Sequence, residues 1–333
     1  MYKLKQIPED FRVDEVIDVK LNENGGYSYF ILKKKDYATP AAVEKLAKFL
    51  RTPVKRIGYA GAKDRRAITT QLISIEGLPD KAKNFKDDNI QLEYKGRGDS
   101  SVYLGKLKGN NFEIIVRNIK RKSKKIKKFL NLFDEQRFSM NNVEIGRALV
   151  KKDFRKAVEI LMKSNGYYER LVKNYYQNTN DAINSLRKVP IHTLMFFIHA
   201  YQSELWNKCA EKMKKNIELP IVGFGTEIKD PKIRKAIEDI MKKESITYRD
   251  FIIRQIPELS SEGSSRKLYA DVKKLKIGKL EKDELNKGMK KVKLKFFLDK
   301  GCYATMALKN MFNCKKASDG SCTHDLGFTK PAQ

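Results

Sequence analysis

The stretch FRVDEVIDVKLNENGGYSYFILKKKDYATPAAVEKLAKFL, Phe11 to Leu50, decides how the chain begins to fold. Phe11, Val13, Glu15 and Ile17 alternate with Arg12, Asp14, Val16 and Asp18, the two-residue period of a half-buried strand. Glu15 is thereby set on the apolar side. NENGG is a turn signal and YSYFILKKK reads as a second strand, so the spacing predicts an N-terminal hairpin. Thr39 stands where a helix N-cap is expected and Pro40 at the first helical position, with Val43, Leu46, Ala47 and Leu50 on one face.

Working outward, TTQLISIEG and NNFEIIVR have the apolar, β-branched texture of further strands. From about residue 143 the pattern becomes helical, in DFRKAVEILMKS, DAINSLRKV and HTLMFFIHAYQSELWNKCAEKMKK. Near the end VKLKFFLDKGCYATMALKNMF returns to a strand, a glycine turn and a helix start. A chain of 333 residues exceeds what one core usually holds, so two units are expected. The simplest arrangement is an α+β domain, 1–142 and 290–313, interrupted by a largely helical insertion, 143–289. The small, polar stretch 314–333 reads as a loosely ordered tail.

Lys and Arg total 70 against 41 Asp and Glu, a formal charge of +29 that draws polyanions. Nucleic acid is the first partner class this suggests; a Lys-rich solubility or thermophile composition is the alternative. The run NIKRKSKKIKK, Asn118 to Lys128, favours the former, with seven basic residues and no acid. A solvated face usually mixes both signs. The run reads as a phosphate-contacting stripe that supplies affinity rather than sequence choice.

Four scattered cysteines fit a reduced compartment rather than a disulfide scaffold. Cys314, Cys322 and His324 lie close together but lack a CxxC pair, and no metal site is expected. The charged N-terminus has no signal-peptide h-region, and IHTLMFFIHAY is too short for a membrane span. A cytoplasmic protein without a membrane partner is expected.

With three histidines, a His-centred mechanism is poorly supplied, and His199 reads as a packing or hydrogen-bonding residue. GxGxxG and GxxxxGK[ST] loops are absent from the sequence, so no nucleotide cofactor is expected. Carboxylates are left. GYAGAKDRRAITTQ, Gly58 to Gln71, sets Asp64 among Lys63, Arg65 and Arg66. Three readings stand: a solvated turn, an anion-binding loop with an incidental acid, or a catalytic carboxylate kept ionised by its cations. Glu15 is a second acid candidate, or a core-facing acid with a structural cation. An enzyme acting on an RNA base must unstack it and hold it on an aromatic platform. Phe112 and Tyr303 are the suggestive aromatics, though Phe112 shares its strand period with Ile114 and Val116 and so also fits core packing.

Taken together these segments resemble the TruD family of tRNA pseudouridine synthases across nearly the whole chain. GYAGAKDRRAITTQ is similar to the family's AGxKDxxAxTxQ motif. LGKLKGNNFEIIVR resembles GxLxGNxFxIxxR, and NLFDEQRFSMNNVEIGRAL resembles YFGxQRFGxxxxNxxxG. HAYQSELWN and LPIVGFGT look like landmarks of the inserted domain, and FFLDKGCYATMAL like FxLPxGxxAT. The resemblance implies a catalytic domain on a mixed, mainly antiparallel sheet carrying a largely helical α/β insertion. It implies an isomerase that needs no cofactor, acting on tRNA at uridine 13; a monomer is expected.

By the same resemblance Asp64 is the catalytic carboxylate, Lys63 pairs with it, and Glu15 acts near Lys63. Phe112 lies beneath the target uracil, Asn110 beside it, and Tyr303 packs on the base. Arg65 and Gln71 fall in the substrate-binding part of the motif. Ala60, Gly61 and Ala62 would let a nucleotide's sugar approach the backbone. Three departures, Asp134 and Ser139 for glycines and Asp299 for a proline, bear on loop geometry more than on chemistry, since Gln136, Arg137 and Gly301 remain. The competing readings are a non-catalytic RNA-binding or remodelling protein on this scaffold and a metal-dependent nuclease. The latter needs clustered carboxylates, and Asp64 has no acid nearby.

Overall fold

A computed structural model describes residues 2–77, 80–134 and 141–312. Gln136, Arg137 and Ser139, the cysteine–histidine group Cys314, Cys322 and His324, and the tail 314–333 lie outside these residues. The chain forms two compact units, one running to Phe129 and resuming at Ala270, the other Leu130–Tyr269.

The first unit is built on an eight-stranded sheet. Its strands are β1 (Phe11–Val16), β2 (Tyr27–Lys35), β3 (Ile57–Tyr59), β4 (Ile68–Glu76), β5 (Ile90–Gly98) and β6 (Gly109–Ile119). After the short β7 (Lys128–Leu130) and the second unit, β11 (Lys273–Lys282) and β12 (Lys290–Asp299) complete it. The order is β11-β12-β6-β1-β4-β2-β5, with β3 on β4. Within this order β1 and β4 run parallel, and the other neighbouring strands are antiparallel. This is a mixed, mainly antiparallel sheet in an α+β fold.

The expected hairpin is absent. β4 lies between β1 and β2, pairing Arg12 with Ile68 and Leu32 with Gln71. A parallel partner needs a crossover rather than a tight turn, and helix α1 (Thr39–Leu50) lies within it. Alternate residues of β2 and β4 feed two cores. Phe30, Leu32, Ile73 and Ile75 pack with Val43, Leu46 and Ala47 of α1. Tyr29 and Leu72 pack on the opposite face with Ala60 and Val102. The strand period places these side chains.

The second unit is largely helical: α2 (Asn142–Val150), α3 (Phe154–Leu161), α4 (Tyr167–Thr179), α5 (Ala182–Leu186), α6 (Ile191–Ala210) and α7 (Pro231–Glu244). A small sheet pairs β8 (Glu218–Ile221) with β9 (Ser264–Lys267), and β10 (Tyr269–Asp271) leads back out. α6 is the core helix, burying Phe197, Tyr201, Leu205 and Trp206. α2 crosses it closely because position 146 is glycine; a Cβ there would stand 2.0 Å from the Phe197 carbonyl oxygen. Among the described residues no helix is long and apolar enough to cross a membrane.

The expected insertion 143–289 is displaced at both ends. Residues 273–282 form β11, which hydrogen-bonds to β12 and belongs to the large sheet. Helix α8 (Ala304–Met311) closes the described chain.

One buried cluster fastens the N-terminal segment to the sheet. Arg117 of β6 is 1% exposed; its Nε donates to both carboxylate oxygens of Asp10 at 2.8 and 2.9 Å, and its Nη1 to Asp283 at 3.0 Å. Lys3 and Arg117 exchange backbone hydrogen bonds in both directions, and Asn286 joins Lys3 to Gln6. Removing one partner of a buried pair strands the others without compensation, a loss of about 3–5 kcal/mol. Arg117→Met is expected to lower unfolding stability by that order in urea titration. A change near zero would show that the cluster carries no such weight.

Candidate active site

The loop between β3 and β4, residues 60–67, is fixed by its backbone. It follows Gly58, where a Cβ would stand 2.1 Å from the Val102 carbonyl oxygen, so the approach tolerates only glycine. The Thr39 hydroxyl accepts from the Lys63 backbone N–H at 3.0 Å and donates to Gln71 Oε1 at 2.8 Å. The Gln71 Nε2 donates to the Gly61 carbonyl at 3.1 Å. From β2, the Lys34 Nζ donates to the carbonyls of Tyr37 at 2.5 Å and Asp64 at 3.0 Å, with Lys63 more distant at 3.4 Å. Strand, helix and neighbouring strand thus hold the loop together.

Two expectations change here. Thr39 is not the cap of α1; Ala38 occupies that position, and the Thr39 hydroxyl is engaged by the loop. Gln71, expected at the substrate, is 1% exposed with both ends of its amide in use, so it supports the loop from behind. Ala60 is likewise buried in the Tyr29 core, which gives its small side chain a packing role.

The charges pair differently from the sequence expectation. Lys63 does not pair with Asp64. Its side chain is 7% exposed and its ammonium binds Glu15, whose side chain is fully enclosed on the apolar face of β1. The other Glu15 oxygen, Oε1, accepts from the Leu72 backbone N–H at 3.3 Å. Asp64 is paired with Lys5 instead, at 2.8 Å, and keeps 37% of its side chain exposed. Adjacent residues of an irregular loop need not face the same way, and here the lysine goes into the sheet.

Lys5 is the site residue that sequence patterning missed. It precedes the first strand in a segment without periodicity, and its backbone adopts the left-handed region, φ 53°, unusual for a lysine. Its ammonium also stands 4.3 Å from the centroid of the Phe11 ring, a cation–π contact. Gln6 beside it is held by Asn286, and its carbonyl accepts from Arg66 Nη2 at 2.6 Å. The Arg117 cluster therefore stands behind the Lys5–Asp64 pair.

Strand register brings in the rest. Asn110 of β6 lies opposite Glu15, and its buried Oδ1 has no hydrogen-bond partner among the described residues. Phe112 is stacked on Phe296, centroids 5.4 Å apart at 26°, and meets Phe11 edge-on at 6.1 Å. At 9% exposed it is mostly enclosed. Arg65 is exposed on the loop, and Tyr303 is half-buried at the N-terminus of α8. Asp299, where a proline was expected, ends β12 and binds Lys273 through both oxygens at 2.7 Å. Among the described residues no three His, Cys, Asp or Glu side chains gather as metal ligands.

This geometry leaves one carboxylate accessible to a ligand, oriented by an ammonium and by a backbone it cannot easily shift. The orphaned acceptor, Asn110 Oδ1, lies across the β1–β6 register from Glu15, the partner of Lys63. Unpaired buried polar atoms are rare and often mark a missing partner.

Burial pulls the Lys34 ammonium down to about 8, opposed by the Asp64 charge and reinforced by Lys63. Below that pH both folded and unfolded chains hold the proton. Between about 8 and the ordinary lysine range the unfolded chain binds more protons, so stability rises with pH there. The urea midpoint of the parent chain is expected to rise relative to that of Lys34→Met as pH is taken from 7 to 9.5. Parallel pH profiles would contradict this.

Comparison with known proteins bears on this site. The family model described as tRNA pseudouridine synthase D (TruD) matches residues 2–166, 161–219 and 209–311. A Methanocaldococcus jannaschii protein named a probable tRNA pseudouridine synthase D is 30% identical, over 93% of this chain and 91% of its own. The tRNA pseudouridine synthase D of Aquifex aeolicus is 27% identical over 93% and 98%. The crystal structure of a Methanosarcina mazei protein assigned as tRNA pseudouridine synthase D superposes with a TM-score of 0.70 at 26% identity, covering 93% of both chains.

Proposed function

Since the chain belongs to the tRNA pseudouridine synthase D (TruD) family, we propose that it isomerises uridine to pseudouridine at tRNA position 13, with Asp64 as the catalytic carboxylate. Pseudouridine synthesis on tRNA is the family's reaction, which makes this chain an isomerase of tRNA. The unit containing the large sheet is the catalytic domain, and Leu130–Tyr269 the inserted one.

The observation that carries the reading is the Asp64 carboxylate, more than a third exposed and held through one oxygen by Lys5, on a loop anchored by Lys34 and Thr39. The reaction breaks the C1′–N1 bond, turns the uracil, and joins C1′ to C5. The C5 proton leaves and N1 gains one, so nothing is consumed. Asp64 begins this either by attack at C1′ or by removing the 2′ proton, and either step uses a carboxylate oxygen that the Lys5 ammonium orients.

The other residues take positioning parts. The Asn110 Oδ1 accepts from the uracil N3–H, satisfying an acceptor that otherwise stays buried and unpaired. Phe112 and its Phe296 stack form the apolar floor, and Tyr303 the opposite wall. Lys63 and Glu15 neutralise each other and fix the loop, leaving Asp64 to Lys5. Arg65 contacts phosphate. A protein that only binds RNA has no need of an accessible carboxylate held by a buried lysine on a fixed loop, and that argues against the non-catalytic alternative.

The basic residues between Lys120 and Lys128 are all exposed. They supply salt-dependent affinity for the tRNA backbone.

Asp64→Asn is expected to abolish tritium release from tRNA labelled at uridine C5, while tRNA affinity changes by no more than about twofold, since phosphate contacts persist. Normal turnover by that variant would remove Asp64 from the mechanism. Replacing four lysines of the basic run with alanine should lower the slope of log Kd against log salt by about 3. An unchanged slope would show that the run does not touch RNA.

A further inference from the structure

The inserted unit carries a surface that neither its core nor the proposed catalytic site uses. Helix α4 buries only Val172. On its solvent side Tyr167 is 65% exposed, Tyr168 40% and Leu171 37%. The two tyrosine rings meet edge-on at 5.2 Å. Isolated exposed apolar side chains are ordinary, but a run of them along one helix marks a contact surface.

The surface continues past α4. The Lys188 ammonium lies 4.3 Å from the centroid of the Tyr175 ring, and Lys188 also lines a cleft of about 390 Å³. The cleft has an apolar floor of Val189, Pro190, Ile191, Leu194 and Ile256, with Arg187 beside Lys188 at its edge and Glu258 as its acid. Arg170 and Lys173 on α4 are exposed, and the acid among them, Glu169, is half-buried. Aromatic rings with interleaved cations beside an apolar cleft are the chemistry that binds unpaired nucleotides. Bases stack on the rings and apolar floor, and phosphates pair with the cations.

We propose that the α4 tyrosines and the Arg187–Lys188 cleft form a second RNA-binding surface, on the inserted unit, which takes unpaired nucleotides of the tRNA substrate. The excess of cations argues for a polyanion over an apolar protein partner. The proposal rests on the reading that tRNA is the substrate. Its part in catalysis is to raise occupancy; the isomerisation itself stays with Asp64.

The test uses the full chain and a tRNA transcript. Two double variants, Tyr167→Ser with Tyr168→Ser and Arg187→Glu with Lys188→Glu, are compared with Tyr167→Phe with Tyr168→Phe. The serine and glutamate pairs should each raise Kd and KM about tenfold, the loss expected for one base stack or a pair of phosphate contacts. Turnover at saturating tRNA and thermal stability should stay unchanged. The phenylalanine pair should bind as the parent does, because stacking needs the ring and not the hydroxyl. Parent-like affinity in both the serine and glutamate pairs would overturn the surface alone. So would a change of oligomeric state in the serine pair with tRNA affinity intact, which would make the face a contact between copies of the chain. Failure of the parent to bind tRNA would overturn the functional reading together with this one.

Discussion

The ion pair between Lys5 and Asp64 is the interaction on which the site depends. Its two residues are 59 positions apart, on segments that are each irregular. An exposed pair is worth little in water, about 0–1 kcal/mol. This one gains from enclosure on the lysine side, where the side chain is 10% exposed and the ammonium lies against Phe11. Neither segment would keep its shape unaided. Lys5 depends on Lys3, Gln6 and the Arg117 cluster, and Asp64 on Lys34, Thr39 and Gln71.

The loop illustrates how a site borrows rigidity from a sheet. Its carbonyls and amide are satisfied by side chains of β2, α1 and β4, elements whose own positions are set by burial in the Phe30–Ile73 core. Preorganisation of this kind removes the cost of arranging charges during reaction. The lysine beside Asp64 in sequence serves the same end from below, because its pairing with Glu15 consumes two charges that would otherwise compete for the substrate.

Much of the local structure was legible in the chain. YSYFILKKK is β2 residue for residue, and the alternation of Phe11, Val13 and Glu15 reports the buried face of β1 correctly. Pairing was not legible. β4 comes from later in the chain to lie between the first two strands, and alternation says which face is buried but not which strand is adjacent. β11 escaped notice for another reason: its many lysines mask the two-residue period, as is usual for an edge strand protected by charge. At the site, Asp64 and Asn110 stood out by motif and Glu15 by its place in the strand period. Lys5 and Lys34 did not, since a lone lysine in a basic chain carries no signal until the fold shows what it reaches. Lys63 misled, because adjacency in sequence is not proximity of side chains.

The most direct measurement of this account is pseudouridine mapping of a tRNA transcript after incubation with the purified chain and with Lys5→Met, alongside tRNA affinity. The account predicts one modified uridine with the parent chain. It predicts a rate about a hundredfold lower with the variant, equivalent to losing a few kcal/mol of orientation and charge stabilisation, at unchanged Kd. Parent-like turnover by Lys5→Met would contradict the claim that this pair aims the carboxylate.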